Sequence, residues 1–234
     1  MNKKIISKNA SWTFKKNVPK KFSHHIKKSV PYYNEMHNMI CELSDFFLIE
    51  KSTYYDIGSS TGVLLNKLSQ RHLNKKVKLI GVESVMEMIV QAKKENLKKN
   101  KNIKYLNKDI MKIKLEKADL ITSCYTVQFI NPKHRQKLIN KIYKSLNWGG
   151  AFILFEKIRA SDARFQDIFA QIYLEFKLKN KFSTHEVINK QKSLKGVLEP
   201  FSEYGNLGLL KRAGFKDIIP IFQWFNFKGF LCIK

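Results

Sequence analysis

At 234 residues, with 44% hydrophobic and 12% aromatic side chains, the chain is long enough for one α/β domain with a sizeable core and too short for two joined by linkers. No apolar stretch approaches the roughly 20 residues that span a bilayer, and the Lys-rich start lacks the apolar run of a signal peptide, so a soluble, cytoplasmic protein with no membrane partner is expected. The net charge is +25, but only five of the 44 basic residues are arginine, the side chain that grips phosphate bidentately; the lysine excess therefore reads first as solvated surface, with a nucleic-acid partner as the alternative.

The segment Met1–Lys28 carries nine lysines and no acid, together with Trp12, Phe14, Val18 and Phe22, and reads as an N-terminal arm that docks on a folded body. From Tyr33 to Phe47 the apolar residues Met36, Met39, Ile40, Leu43, Phe46 and Phe47 recur at helical spacing. Residues 1–50 are thus taken as arm and cap helix, ahead of a domain over 51–234. That domain alternates strands at Thr53–Ile57, Val77–Val82, Ile103–Leu106, Leu120–Ser123 and Ala151–Glu156 with helices at Val63–Gln70, Met86–Leu97 and Lys133–Leu146. A helix over Ala160–Lys179, with Phe165, Ile168, Phe169, Ile172, Tyr173 and Phe176 on one face, opens an insertion spanning about 159–205. It reads as a core helix, or alternatively as a lid or subunit contact that would make the protein a homodimer. A short helix, Gly208–Arg212, precedes two strands, Ile218–Phe225 and Gly229–Ile233, that can pair as an antiparallel hairpin. The expected fold is a Rossmann-like, doubly wound, seven-stranded α/β sheet, mostly parallel.

The first strand runs into Asp56-Ile57-Gly58-Ser59-Ser60-Thr61-Gly62 and then a helix. Glycines allow a tight turn and let a ligand lie against backbone, while the helix start offers free N–H groups. The spacing G-x-S-x-G differs from the pyrophosphate form G-x-G-x-x-G and suits an amino-acid carboxylate and a neutral nucleoside. Glu83 closes the second strand, where a carboxylate can accept both hydroxyls of a ribose. Asp109-Ile110 follows the third, pairing an acceptor for an adenine amino group with an apolar face. Cys41, Cys124 and Cys232 are far apart and the six histidines are scattered, so no metal is expected.

These residues resemble the class I S-adenosylmethionine-dependent methyltransferases, with the Asp56–Gly62 loop, Glu83, Asp109 and the Gly149-Gly150 turn at the family's positions. Within that superfamily the chain is similar to the branch of carboxy-S-adenosyl-L-methionine synthases. The similar stretches include Trp12-Thr13-Phe14, Ser29-Val30-Pro31 with Tyr33, Thr126-Val127-Gln128-Phe129, Glu156-Lys157, Ala213-Gly214-Phe215 and Phe225-Asn226-Phe227. The resemblance implies S-adenosylmethionine as cofactor, contacted by Tyr33, Asp56, Gly58, Ser59, Ser60, Gly62, Glu83, Ser84, Asp109, Ile110 and Cys124. Two positions depart from the family: Cys124 stands for an asparagine, and Gln191 for the arginine that meets the extra carboxylate of the carboxylated cofactor. Gln191 has no charge, and Lys192 beside it is the candidate replacement.

The expected activity is methyl transfer to an unidentified small-molecule acceptor, with Tyr33 and Tyr125 as catalytic candidates and Arg159, Tyr173, Gln191 and Lys192 on the substrate side. The alternative that the resemblance implies is carboxy-S-adenosylmethionine synthesis from S-adenosylmethionine and prephenate, a step in modifying the wobble uridine of tRNA. A third reading, a nucleic-acid-binding protein on the same scaffold, rests on charge alone.

Overall fold

The computed structural model describes residues 7–15, 18–96 and 102–234. Seven strands form one sheet: β1 (Thr53–Ile57), β2 (Lys78–Glu83), β3 (Ile103–Asn107), β4 (Ala118–Cys124), β5 (Leu146–Lys157), β6 (Asp217–Trp224) and β7 (Phe227–Ile233), in the order β3-β2-β1-β4-β5-β7-β6. β1 to β5 run parallel, and β7 lies antiparallel between β5 and β6. Strand order reverses between β1 and β4, and the crevice above their carboxyl ends is where doubly wound sheets bind ligands.

The central strands are near-continuous apolar runs because both faces of the sheet are covered. On one face, Ile57, Ile121, Phe152 and Leu154 meet α5 (Pro132–Ser145) and α8 (Glu203–Ala213) through Leu138, Ile142 and Leu210. On the other, Tyr54, Leu79, Leu120 and Ile153 meet α2 (Tyr33–Ser44) and α3 (Val63–Arg71) through Met36, Ile40, Leu65 and Leu68. α4 (Met86–Glu95) buries Met88, Ile89 and Ala92; Leu97, the expected end of that helix, lies outside the described residues.

Several expectations shift. Part of Met1–Lys28 lies outside the described residues, but much of the remainder is α1 (Val18–Ser29), whose Val18, Phe22, His25, Ile26 and Ser29 share a face that four lysines obscure in the sequence. Residues 7–15 lie along α7 (Thr184–Leu194), with Trp12 N–H bonded to Ser193 O at 3.1 Å and Ala10 N–H to Lys195 O at 3.1 Å. α7 itself was not foreseen, although the capping box of Ser183 and Glu186 marks its start. α8 begins at Glu203 rather than Gly208, because Ser202 caps it through Gly205 N–H. The turn Asn147–Gly150 falls inside β5, where Gly149 N–H bonds the carbonyl of Lys234 at 2.8 Å.

The largest correction concerns α6 (Ala163–Lys179), which buries no residue fully and is not a core helix. Its Phe169, Tyr173 and Phe176 pack on Phe225, Phe227 and Trp224 of the terminal hairpin, while Phe165 and Ile168 stay exposed. α6 therefore roofs the carboxyl end of the sheet.

Candidate active site

A cavity of about 1390 Å³ opens above the switch point, bounded by the glycine loop, the ends of β2 and β4, α1, α6, α7 and the arm residues 7–15. That volume exceeds the roughly 300–1,000 Å³ of a single-ligand pocket, so two small molecules can share it.

Its first half is the crevice expected from sequence. Gly58 (φ 78°) and Gly62 (φ 70°) take left-handed conformations, and a Cβ on either would strike Thr126 or the Tyr105 hydroxyl respectively. Ser60, standing where the family has glycine, adopts φ 47° and is held by its N–H, which donates to Glu83 Oε2 at 3.0 Å. Glu83 Oε1 accepts from Val85 N–H at 2.9 Å. Glu83 thus clamps the loop to β2, a role that sequence reading missed, and Ser84 donates to the same carboxylate from its backbone and its hydroxyl. Burial raises its carboxyl above the ordinary range, opposed by those backbone donors. Asp56 is buried, accepts from the Thr122 hydroxyl at 3.0 Å, and is pushed up to about 7 by burial. Asp109 stays exposed, accepting Met111 N–H at 2.8 Å, beside buried Ile110.

The floor between the halves is Cys124-Tyr125 and the short turn Val127–Phe129. Glu156, buried beneath it, accepts Val127 N–H at 3.0 Å, and burial pushes its carboxyl up to about 8. Gln128 ties the turn to β5 by accepting Lys157 N–H at 3.1 Å. Tyr33 lies under α1, its ring 4.3 Å from that of His37, and burial drives its hydroxyl far above the ordinary range.

The second half is cationic. Lys157 and Lys177 both set their ammonium groups over the Tyr173 ring, at 4.3 and 4.2 Å, and Lys190 lies over Trp12. Arg159 and His25 complete the wall. No ion pair to any of these groups occurs among the described residues. Burial is the first cause pushing Lys157 down to about 7, Lys177 to about 8 and Lys190 to about 6; mutual repulsion adds to it for Lys157 and Lys190. Burial and the neighbouring Lys190 and Lys177 lower His25 to about 4. The three lysines are half-buried and Arg159 is exposed; an anion bound among them would favour their charged forms and raise all three amines again.

Of the residues singled out from sequence, Gly62 and Lys192 do not line the cavity; all the others do. Gly62 acts from beneath, as the first turn of α3 passes Tyr105, and Lys192 is exposed on α7. The lysine cluster was missed because its members sit on β5, α6 and α7, far apart in sequence. The one local trace is Tyr173 with Lys177 four residues on, a pair that a helix brings together.

A methyltransferase-domain family profile matches residues 55–150. The solved structure of human N-acetylserotonin methyltransferase, in complex with S-adenosylmethionine, superposes with a TM-score of 0.61 at 17% identity, covering 93% of this chain and 56% of that longer one. Fold and site thus define a methyltransferase-type Rossmann-like domain. The carboxy-S-adenosyl-L-methionine synthase of Staphylococcus epidermidis is 41% identical over 95% of this chain and 97% of its own length. That of Nautilia profundicola is 34% identical over 100% of both. The chain belongs to the carboxy-S-adenosyl-L-methionine synthase family.

Proposed function

We propose that the chain is a carboxy-S-adenosyl-L-methionine synthase that uses S-adenosylmethionine and the dicarboxylate prephenate. It is an S-adenosylmethionine-dependent transferase, and the residues of the first half fit that cofactor: Glu83 offers a fixed carboxylate to a ribose, Ile110 an apolar wall to adenine, and the glycine loop a backbone cradle. The observation that carries the finer reading is the cluster of Lys157, Lys177, Lys190 and Arg159 in the same cavity, to which no ion pair is made among the described residues. A neutral methyl acceptor has no need of it, whereas a dianion does.

Bound S-adenosylmethionine supplies a sulfonium whose methyl carbon exchanges a proton for the carboxylate that prephenate loses. That proton and the prephenate hydroxyl leave as water while the ring becomes aromatic. The chain's own residues hold the dianion against this carbon, offset the charge as it moves, and exclude bulk water beneath α6 and the arm. The second ligand is a small molecule rather than a nucleic acid, since Lys157, Lys177 and Lys190 line a cavity beneath α6 and α7 and are not on an open face.

Methyl transfer is the second reading, favoured by the uncharged Gln191. Incubation of the protein with both ligands, followed by mass spectrometry, separates the two. A cofactor heavier by one carbon dioxide supports the proposal; demethylated cofactor with no such product sinks it.

A further inference from the structure

Tyr125 stands where the two halves of the cavity meet, and its conformation is enforced. Its backbone lies in the left-handed region at φ 55°, unfavourable for a bulky residue with a Cβ. Three contacts hold it there. Its N–H donates to Phe155 O at 2.7 Å, its carbonyl accepts from Gln128 Nε2 at 3.3 Å, and the turn that follows is gripped by Glu156. The ring is wedged edge-on against Phe227, with centroids 5.8 Å apart, and tilted against Phe155. Tyr125 is 9% exposed, and its hydroxyl has no hydrogen-bond partner among the described residues. Tyr33, Cys124 and Tyr173 are its neighbours. A strained residue that holds a buried donor without a partner points to a ligand that supplies the acceptor.

Strand order indicates which part of the ligand that is. The crevice runs from Asp109 after β3, past Glu83 on β2, to Asp56 on β1 and Cys124 on β4. A cofactor with its adenosine at Asp109 and Glu83 therefore brings its sulfonium to the β1–β4 end, beside Tyr125.

We propose that the Tyr125 hydroxyl donates a hydrogen bond to the carboxylate on the sulfonium carbon, making Tyr125 the residue by which this chain distinguishes the carboxylated from the ordinary cofactor. Glu156 and Gln128 are positioning residues for it. The inference rests on the function proposed above and accounts for an uncharged residue at position 191: a neutral donor, fixed in place, takes over part of the recognition that an arginine would provide.

The test is calorimetric titration of wild type, Tyr125→Phe and Glu156→Gln with S-adenosylmethionine and with chemically prepared carboxy-S-adenosylmethionine. A hydrogen bond to a charged group corresponds to about tenfold or more in affinity. Tyr125→Phe should lose that factor for the carboxylated ligand and less than about twofold for the ordinary one. Glu156→Gln, which keeps the hydroxyl but loosens its support, should lower the same ratio by a smaller factor. Thermal melting should show Tyr125→Phe folded and no less stable than wild type. Equal losses for both ligands, or none, would overturn the assignment. A shifted ratio in a protein that makes no carboxylated product overturns the proposed reaction and leaves Tyr125 as the recognition residue. Product formation with an unshifted ratio does the reverse.

Discussion

Replacing Lys157 with methionine separates the stability of the cavity from its use. Methionine keeps much of the length of the side chain and removes the charge. Burial and its cationic neighbours take the Lys157 amine from 10.5 to about 7, and at about 1.4 kcal/mol per pH unit this sets an upper bound of roughly 5 kcal/mol on the cost of holding the ammonium there. The side chain is only half-buried, so cavity water screens part of that cost. Loss of the attraction to the Tyr173 ring offsets about 0.5–2 kcal/mol more. A net gain of about 1–3 kcal/mol for Lys157→Met is expected in urea unfolding near neutral pH. The folded protein binds this proton less tightly than the unfolded chain, so the penalty is full below about pH 7 and fades as pH rises toward 10.5. The advantage of the variant should therefore shrink between about pH 7 and 10. Ligand binding should move the opposite way. A hundredfold excess of prephenate over its dissociation constant stabilises wild type by about 2.7 kcal/mol, and should leave the variant nearly unchanged. A variant that is less stable than wild type at about pH 6.5, or one that prephenate stabilises equally, would refute the view of Lys157 as an uncompensated cation kept for an anion.

Other consequences are simpler to read. Glu83→Gln removes the carboxylate that holds Ser60 and Val85, and calorimetry should show affinity for S-adenosylmethionine reduced about 10- to 100-fold; an unchanged affinity would remove Glu83 from the site. Gly62→Ala meets the Tyr105 hydroxyl and a left-handed backbone together, and should cost more than the ~1–2 kcal/mol of backbone strain alone. Adding Tyr105→Phe should recover the collision but not the strain; a double variant no better than the single one would show that the hydroxyl does not set the requirement for glycine. Tyr125→Phe, described above, tests recognition of the transferred group.

The sheet was legible because its central strands are apolar on both faces and end in turn residues, so Thr53–Ile57 could be placed to the residue. The cofactor half was legible for a related reason: Glu83 ends a strand and Gly58 and Asp109 follow one within two residues, and local order in sequence becomes proximity at the carboxyl end of the sheet. The second half was not. Lys157, Lys177 and Lys190 are three among many lysines, and only the folding of α6 and α7 over β5 sets them apart from the solvated ones. α6 was misjudged as core because its aromatic face looks the same whether it packs into a sheet or over one. α1 was obscured by charge, and α7 was overlooked although Ser183-Thr184-His185-Glu186 carries a helix-start signature. Gln191 weighed toward methyl transfer when read in one dimension; in three, the cations around it reopen the carboxylate chemistry.

The central claim is that the carboxylate of one ligand becomes part of the other. Prephenate carrying ¹³C in its ring carboxylate, incubated with the protein and S-adenosylmethionine, tests this directly by mass spectrometry of the sulfonium product. The label is predicted in the carboxylate carbon bonded to the methylene on sulfur, in a cofactor heavier by one labelled carbon dioxide. Unlabelled cofactor, or demethylated cofactor alone, would contradict it.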